Sequence, residues 1–337
     1  MISLASNESP YGPSPKALAA MQSAIARCHL YPDDDARELQ SKLAEYHSLR
    51  PEQVLIGAGS TELINIIARS LLRPGLNAVT SERSFIAYRV ASAMAGGKLV
   101  QIAMRNHCFD LDALAASIDP STQIIFLANP NNPTGTAFDA AATDLFLSRV
   151  PQRVIVVLDE AYYEYGAYFA AERGFHYSHS LDYVRNNTNV VVLRTFSKVH
   201  GLAGMRIGYA LGPPELLARF AQMRCTYSIS LAAQAGALAA LADETHICQA
   251  VVNNAAGAEY LSRSLAGLGY DPVPTWANFI YCDIGKPADE FSNRMKAAGV
   301  FIRSLAGWGA PTAIRVTVGT PEQNQAFLAA FSRVGEE

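Results

Sequence analysis

"NVVVLRTFSKVHGLAGMRIGYALG", residues 189 to 212, runs from three valines and a leucine through Thr-Phe-Ser-Lys into a glycine-punctuated turn and a second apolar run. The first run is short, β-branched and apolar on both faces, the pattern of a strand covered by helices on each side of a mostly parallel sheet. The same grammar recurs in "QVLIGAGS" (53 to 60), "NAVTSERS" (77 to 84), "QIIFLANP" (123 to 130) and "RVIVVLDE" (153 to 160). Helical patterns lie between these runs. In one of them, Thr61 to Leu72, Ser60 is the expected N-cap and Ile64, Ile67, Ala68 and Leu71 share a face. The middle of the chain is therefore α/β.

After about residue 225, long Ala- and Leu-rich stretches precede "NFIYCDIG" (278 to 285), "GVFIRSL" (299 to 305) and "AIRVTVGT" (313 to 320), which predicts helices on a small antiparallel sheet. The Pro-rich residues 1 to 15 read as an extended arm. Together these predict a large cofactor-binding domain over 26–222, with 1–25 and 223–337 forming the arm and a small α+β domain.

Composition narrows the partner. The 337 residues are half hydrophobic, enough for a substantial core, and the net charge of -3 with scattered Lys and Arg gives neither a nucleic-acid footprint nor a membrane-surface patch. The five cysteines are far apart and never in a C-x-x-C pair, so neither a disulfide framework nor a structural zinc site is expected, and no metal. With no apolar run near eighteen residues and no basic-then-apolar opening, the expectation is a cytoplasmic protein acting on small molecules.

Ligands of an open parallel sheet sit beyond the carboxyl ends of its strands, and here nearly every apolar run ends in polar residues. They are Gly57 to Thr61, Asn129 to Gly135, Asp159 to Tyr162, and Thr195, Ser197 and Lys198. Any one of them alone could be a turn or a cap. Taken together they suit a single chemistry. A partly desolvated lysine such as Lys198, with other cations nearby, can add to a carbonyl as a free amine. Asp159 could keep a heterocyclic nitrogen protonated, and Tyr162 and Asn132 could donate to a phenolate oxygen beside the aldehyde. Amides after Gly59, the hydroxyls of Ser60, Thr195 and Ser197, and the Arg206 guanidinium could hold a phosphate. Those are the requirements of pyridoxal 5'-phosphate.

"NPNNPTG" (129 to 135), "LDEAYYEY" (158 to 165), "RTFSKVHGLAGMRIGY" (194 to 209) and "AIRVTVGTPEQNQAF" (313 to 327) resemble the fold-type I aminotransferases, and most closely their histidinol-phosphate branch. The resemblance covers almost the whole chain. It implies that Lys198 forms the Schiff base, that Asp159 pairs with the pyridine nitrogen, and that Asn132 and Tyr162 hold the ring oxygen. It also implies that Arg206, Ser60, Thr61, Thr195 and Ser197 bind the phosphate, and that Phe85 stacks on the ring. Tyr31 would reach the cofactor of a neighbouring subunit, hence a homodimer. Arg315 would clamp a carboxylate, Arg303 the substrate phosphate, and Tyr11 would touch the substrate.

The chain departs from the family pattern at Ser9, Thr61 and Arg83; Ser9 and Arg83 bear on the substrate rather than the cofactor. Other readings fit less of the chain. "GAGSTE" (57 to 62) lacks the third glycine of a dinucleotide turn, and "HYSH" (176 to 179) has no further metal ligands beside it and reads as a solvated loop. "DDD" (33 to 35) reads as an exposed turn charging the next helix. An aromatic or other amino-acid aminotransferase, a threonine-phosphate decarboxylase and a non-catalytic cofactor-binding sensor are the rival functions, the last disfavoured because the arm before Tyr31 is too short for a helix-turn-helix module.

Overall fold

The apolar runs become strands, in chain order β1 (Ile2–Ser3), β2 (Val54–Gly57), β3 (Asn77–Ser81), β4 (Lys98–Ile102), β5 (Thr122–Ala128), β6 (Ile155–Asp159), β7 (Val190–Thr195), β8 (Gly208–Leu211), β9 (Phe279–Asp283), β10 (Val300–Phe301), β11 (Arg303–Ser304) and β12 (Ala313–Thr317). These come from a computed structural model that describes residues 1–186 and 188–336. The large sheet has the order β2-β8-β7-β6-β5-β3-β4, and only β8 runs antiparallel to its neighbours. Its centre is dry: Ile124 to Leu127, Val156, Val157 and Val190 to Leu193 are all fully buried. Each such side chain contributes roughly 1.5–3 kcal/mol by leaving water, so truncating Phe126 to Ala costs about 3–5 kcal/mol.

The small body is the antiparallel sheet β11-β12-β9 with helices Glu244–Gly267, Ala288–Ala297 and Pro321–Glu336 around a separate core that includes Leu261, Ile280, Phe291, Phe327 and Phe331. The arm joins it: β1 pairs in parallel with β10, Thr317 N donates to Leu4 O at 2.8 Å, and Leu4 is buried in that core.

Two helices pack away from the body to which sequence reading assigned them. Pro15–Ile25 and Leu231–Leu241 bury Ala17, Met21, Ala233 and Ala237 in the core of the large sheet. They cross closely, because a Cβ on Gly236 would stand 2.7 Å from Met21 Cγ. Their small-residue faces look shallow in sequence and become apolar surface only once the helices meet, so the edge of the larger core lies beyond residue 222. Ser60 also differs from expectation: the helix Ser60–Leu71 begins on it, and Gly59 at φ +85° takes the N-cap position with no side-chain cap.

Candidate active site

The carboxyl ends of β5, β6 and β7, the turn into helix Ser60–Leu71, the small sheet and the arm enclose one cavity of about 400 Å³. Ser60, Thr61, Phe85, Asn132, Asp159, Tyr162, Thr195, Ser197, Lys198, Arg206, Arg303 and Arg315 all line it. Tyr11 and Tyr31 do not. Tyr11 is exposed beside a smaller cleft with Ser9 and Tyr165, and Tyr31 is 80 % exposed, its ring stacked on Tyr227 at 4.6 Å. The acidic turn before the next helix is anchored rather than free. Asp35 and Asp34 hold Arg224, at 3.1 and 3.7 Å, and Asp34 accepts from Tyr227 N at 2.5 Å.

Lys198 lies on the turn after β7, its Nζ donating to Ser6 O and Asn7 O at 3.3 Å each. Burial, with Arg315 and Arg206 adding like charge, pulls its pKa down to about 7, against the opposing pull of Glu8 and Asp159. At neutral pH a large share of this amine is free. Asp159 ends β6 with its carboxylate buried. Burial pushes its pKa up to about 6, while Tyr88 Oη, donating to Oδ2 at 2.8 Å, and Ala161 N, donating to Oδ1 at 3.3 Å, favour the anion. A cationic partner in the cavity would hold this carboxylate ionised at neutral pH.

Another part of the same cavity suits an anion. Arg206, at φ +54°, donates to Ser197 Oγ at 3.3 Å and Ala203 O at 2.8 Å and forms no ion pair among the described residues. Gly59 lets it approach: a Cβ there would stand 2.7 Å from Nη2. Because Gly59 brings no capping side chain, the first-turn amides of Ser60–Leu71 stay open, and the Ser60 hydroxyl is not used as a cap. A guanidinium without a carboxylate over open amides suits a phosphate, and with Lys198 and Asp159 the donor set fits a phosphorylated pyridine aldehyde.

On the small sheet, Arg303 pairs in register with Arg315 across β11 and β12. Arg315 is buried, its guanidinium pulled down to about 10 by burial with Arg303 adding to the effect, and it donates to Asn132 Oδ1 and Ala5 O. Arg303 is half-buried and donates to Ala5 O at 3.2 Å. Arg83 takes φ +51°, its carbonyl held by Asn131 Nδ2 at 3.1 Å, and lines a neighbouring cavity of about 240 Å³ that shares Phe85 and Trp308 with the main one. Ser9 Oγ is buried without a partner among the described residues.

Sequence reasoning missed several groups here: Ser6, Asn7 and Glu8 of the arm, Trp308, and Tyr88 behind Asp159. Tyr88 stands three residues after Phe85, one helical turn on, which is the signal that could have found it. Asn7 sits 155 positions from its partner Tyr162 and gave no local signal beyond its place in "SNESP".

Comparison with known proteins agrees with this geometry. The profile of the family described as "Aminotransferase class I and II" matches residues 1–331. The histidinol-phosphate aminotransferase of Moorella thermoacetica is 42% identical over 335 residues, covering 99% of this chain and 85% of that protein. The histidinol-phosphate aminotransferase 2 of Pseudomonas aeruginosa (PAO1) is 40% identical over 334 residues, covering 99% and 89%. The crystal structure of histidinol-phosphate aminotransferase from Sinorhizobium meliloti in complex with pyridoxal-5'-phosphate is similar at a TM-score of 0.91 and 29% identity, covering 99% of this chain and 90% of that one. A cavity built from strand ends around a free lysine, a buried aspartate and an open anion cradle, in a chain matched almost end to end, has one family reading: the chain belongs to the class I and II aminotransferases.

Proposed function

We propose that the chain uses pyridoxal 5'-phosphate to transfer the amino group of histidinol phosphate to 2-oxoglutarate, giving imidazole acetol phosphate and glutamate, a step of histidine biosynthesis. One observation carries the reading: Lys198 and Asp159 face the same cavity as the register-paired Arg303 and Arg315. The first couple suits amine chemistry on a pyridine cofactor. The second suits two differently charged substrates, one ending in phosphate and the other in carboxylates. The names of relatives at 40–42% identity support the same substrate.

When bound, pyridoxal phosphate supplies an electron-withdrawing ring that stabilises the charge left on the substrate carbon as its proton departs. Lys198 would hold the cofactor through Nζ, and its amine would take and return the proton at the substrate carbon. Its lowered pKa gives a neutral fraction able to do so at neutral pH. Asp159 would keep the ring nitrogen protonated, with Tyr88 keeping its carboxylate in place. Arg206, Ser60, Thr61, Thr195 and Ser197 would hold the phosphate, Phe85 would pack on the ring, and Asn132 and Tyr162 would donate to the ring oxygen. Arg303 takes the phosphate of the amine and Arg315 the carboxylate of the oxo acid.

Tyr31, exposed and stacked on Tyr227, serves the active site of a second copy in a cytoplasmic homodimer. Among the described residues no helix is long and apolar enough to cross a membrane. A panel of amine donors, scored by single-turnover conversion of the cofactor to its amine form, tests the reading. Histidinol phosphate is expected to react fastest, and an aromatic amino acid outrunning it would refute the substrate.

A further inference from the structure

Asn7 is buried in the arm at φ +58°, a left-handed conformation that asparagine tolerates better than most residues. Three hydrogen bonds decide which end of its side-chain amide faces which neighbour. Its backbone N–H donates to Thr317 Oγ1 at 2.9 Å, the Thr317 hydroxyl donates to Asn7 Oδ1 at 3.2 Å, and Asn7 Nδ2 donates to Tyr162 Oη at 2.9 Å. Turning the amide over would strand the hydrogen of the buried Thr317 hydroxyl, which has no other acceptor among the described residues.

The polarity then propagates. A phenol has a single O–H, and the Tyr162 oxygen is already an acceptor toward the arm. Its hydrogen meets no acceptor among the described residues, yet Tyr162 lines the cavity, so that hydrogen is left for whatever occupies it. Asn132 follows the same logic: Arg315 takes its Oδ1 and leaves its Nδ2 free to donate.

We propose that Asn7 is a positioning residue which, by donating to Tyr162, commits the Tyr162 hydroxyl to donate to the ring oxygen of the cofactor. This rests on the reading of Tyr162 as a partner of that oxygen. The device belongs to the docked arm. Asn7 O also accepts from Asn278 Nδ2 at 3.0 Å, and Thr317 and Asn278 both belong to the small body, so the polarity of Tyr162 is set when arm and small body meet the large sheet.

The test compares two ligands of the cofactor-stripped protein: pyridoxal phosphate and its 3-deoxy analogue, which lacks the ring oxygen. The ratio of their dissociation constants reports on that oxygen, because loosened packing weakens both, and the Tyr162→Phe background reads any direct effect of an added charge on it. Asn7→Asp keeps the shape but cannot donate, and its carboxylate accepts the Tyr162 hydrogen instead, so the preference for pyridoxal phosphate should fall about tenfold. Asn7→Ala, which frees the hydroxyl to turn either way, should lower it less. In a Tyr162→Phe background Asn7→Asp should leave the ratio unchanged. Should Asn7→Asp fail to fold, Thr317→Val removes the group that orients the amide and should also lower the preference. A parent-like ratio in Asn7→Asp together with a lost preference in Tyr162→Phe overturns the proposal. A parent-like ratio in Tyr162→Phe removes the role of Tyr162 itself, and the proposal falls with it.

Discussion

Two acid–cation couples stand on the ends of the same two strands, and they are built in opposite ways. Glu160 and Arg194 are closed: both side chains are buried, Arg194 Nε and Nη2 donate to Glu160 Oε2 at 3.1 and 2.8 Å, and Ser178 Oγ donates to Oε1 at 2.7 Å. The Tyr163 ring lies 3.4 Å from the guanidinium, completing its surroundings. Asp159 and Lys198, one and four residues away, form no ion pair among the described residues. Burial drives their pKa values toward each other, to about 6 and about 7, so each group lies near the boundary between its charged and neutral forms. Successive strand residues point to opposite faces, so one strand end can carry a fastened pair behind and an open couple in front. The first holds the strands in place, and the second is left for a ligand to satisfy.

Breaking each couple should therefore damage different properties. The largest effect is expected for Asp159→Asn, which leaves cofactor binding intact but slows proton removal by on the order of 10³-fold or more, about 4 kcal/mol of barrier. Its unfolding free energy should hold or rise, since a buried carboxylate is lost. Single-turnover absorbance and denaturant melts measure the two; a rate within tenfold of the parent would give Asp159 another role. Arg194→Gln is the mirror image. It strands Glu160 in the core and should cost about 3–5 kcal/mol of stability, while whatever folds keeps near-parental turnover.

How far this contrast could be read in advance depends on distance along the chain. β-branched runs ending in polar residues announced the strands and the cavity-lining groups at their ends, because both signals are local. Nothing in the sequence pairs Glu160 with Arg194; the parallel register of β6 and β7 does so, setting Asp159 opposite Leu193. Serine favours the N-cap position, but before this helix Gly59, at φ +85°, fills it and Ser60 becomes the first helical residue. The helices Pro15–Ile25 and Leu231–Leu241 belong together through alanine and glycine contacts more than two hundred residues apart in sequence, which periodicity cannot see.

At the substrate end a smaller effect is expected. Arg303→Ala should lower kcat/KM for histidinol phosphate by roughly 30-fold, about 2 kcal/mol, and barely touch histidinol, which lacks the phosphate. Arg315→Ala should fall hardest on the glutamate and 2-oxoglutarate half-reaction. Equal losses for histidinol and histidinol phosphate in Arg303→Ala would favour a general amino-acid aminotransferase.

The smallest effect is the pH dependence of stability in the cofactor-stripped protein. Lys198, depressed from 10.5 to about 7, binds fewer protons folded than unfolded between those values, so its contribution makes stability rise with pH above about 7. Asp159, raised from 3.8 to about 6, binds more protons when folded, so its contribution makes stability fall as pH rises from about 4 to 6. Each slope is at most about 1.4 kcal/mol per pH unit, one proton's worth. Comparing the parent with Lys198→Met and Asp159→Asn by chemical denaturation across pH isolates them: the upper slope should flatten in the first variant and the lower in the second.

The open couple is meaningful only if Lys198 is the residue that carries the cofactor. Borohydride reduction of the yellow holoprotein followed by peptide mapping tests this most directly. The label is expected on Lys198, the lysine that follows a buried strand and lines the cavity beside Thr195 and Ser197. A label on Lys16, Lys42, Lys98, Lys286 or Lys296, with Lys198 unmodified, would contradict the account.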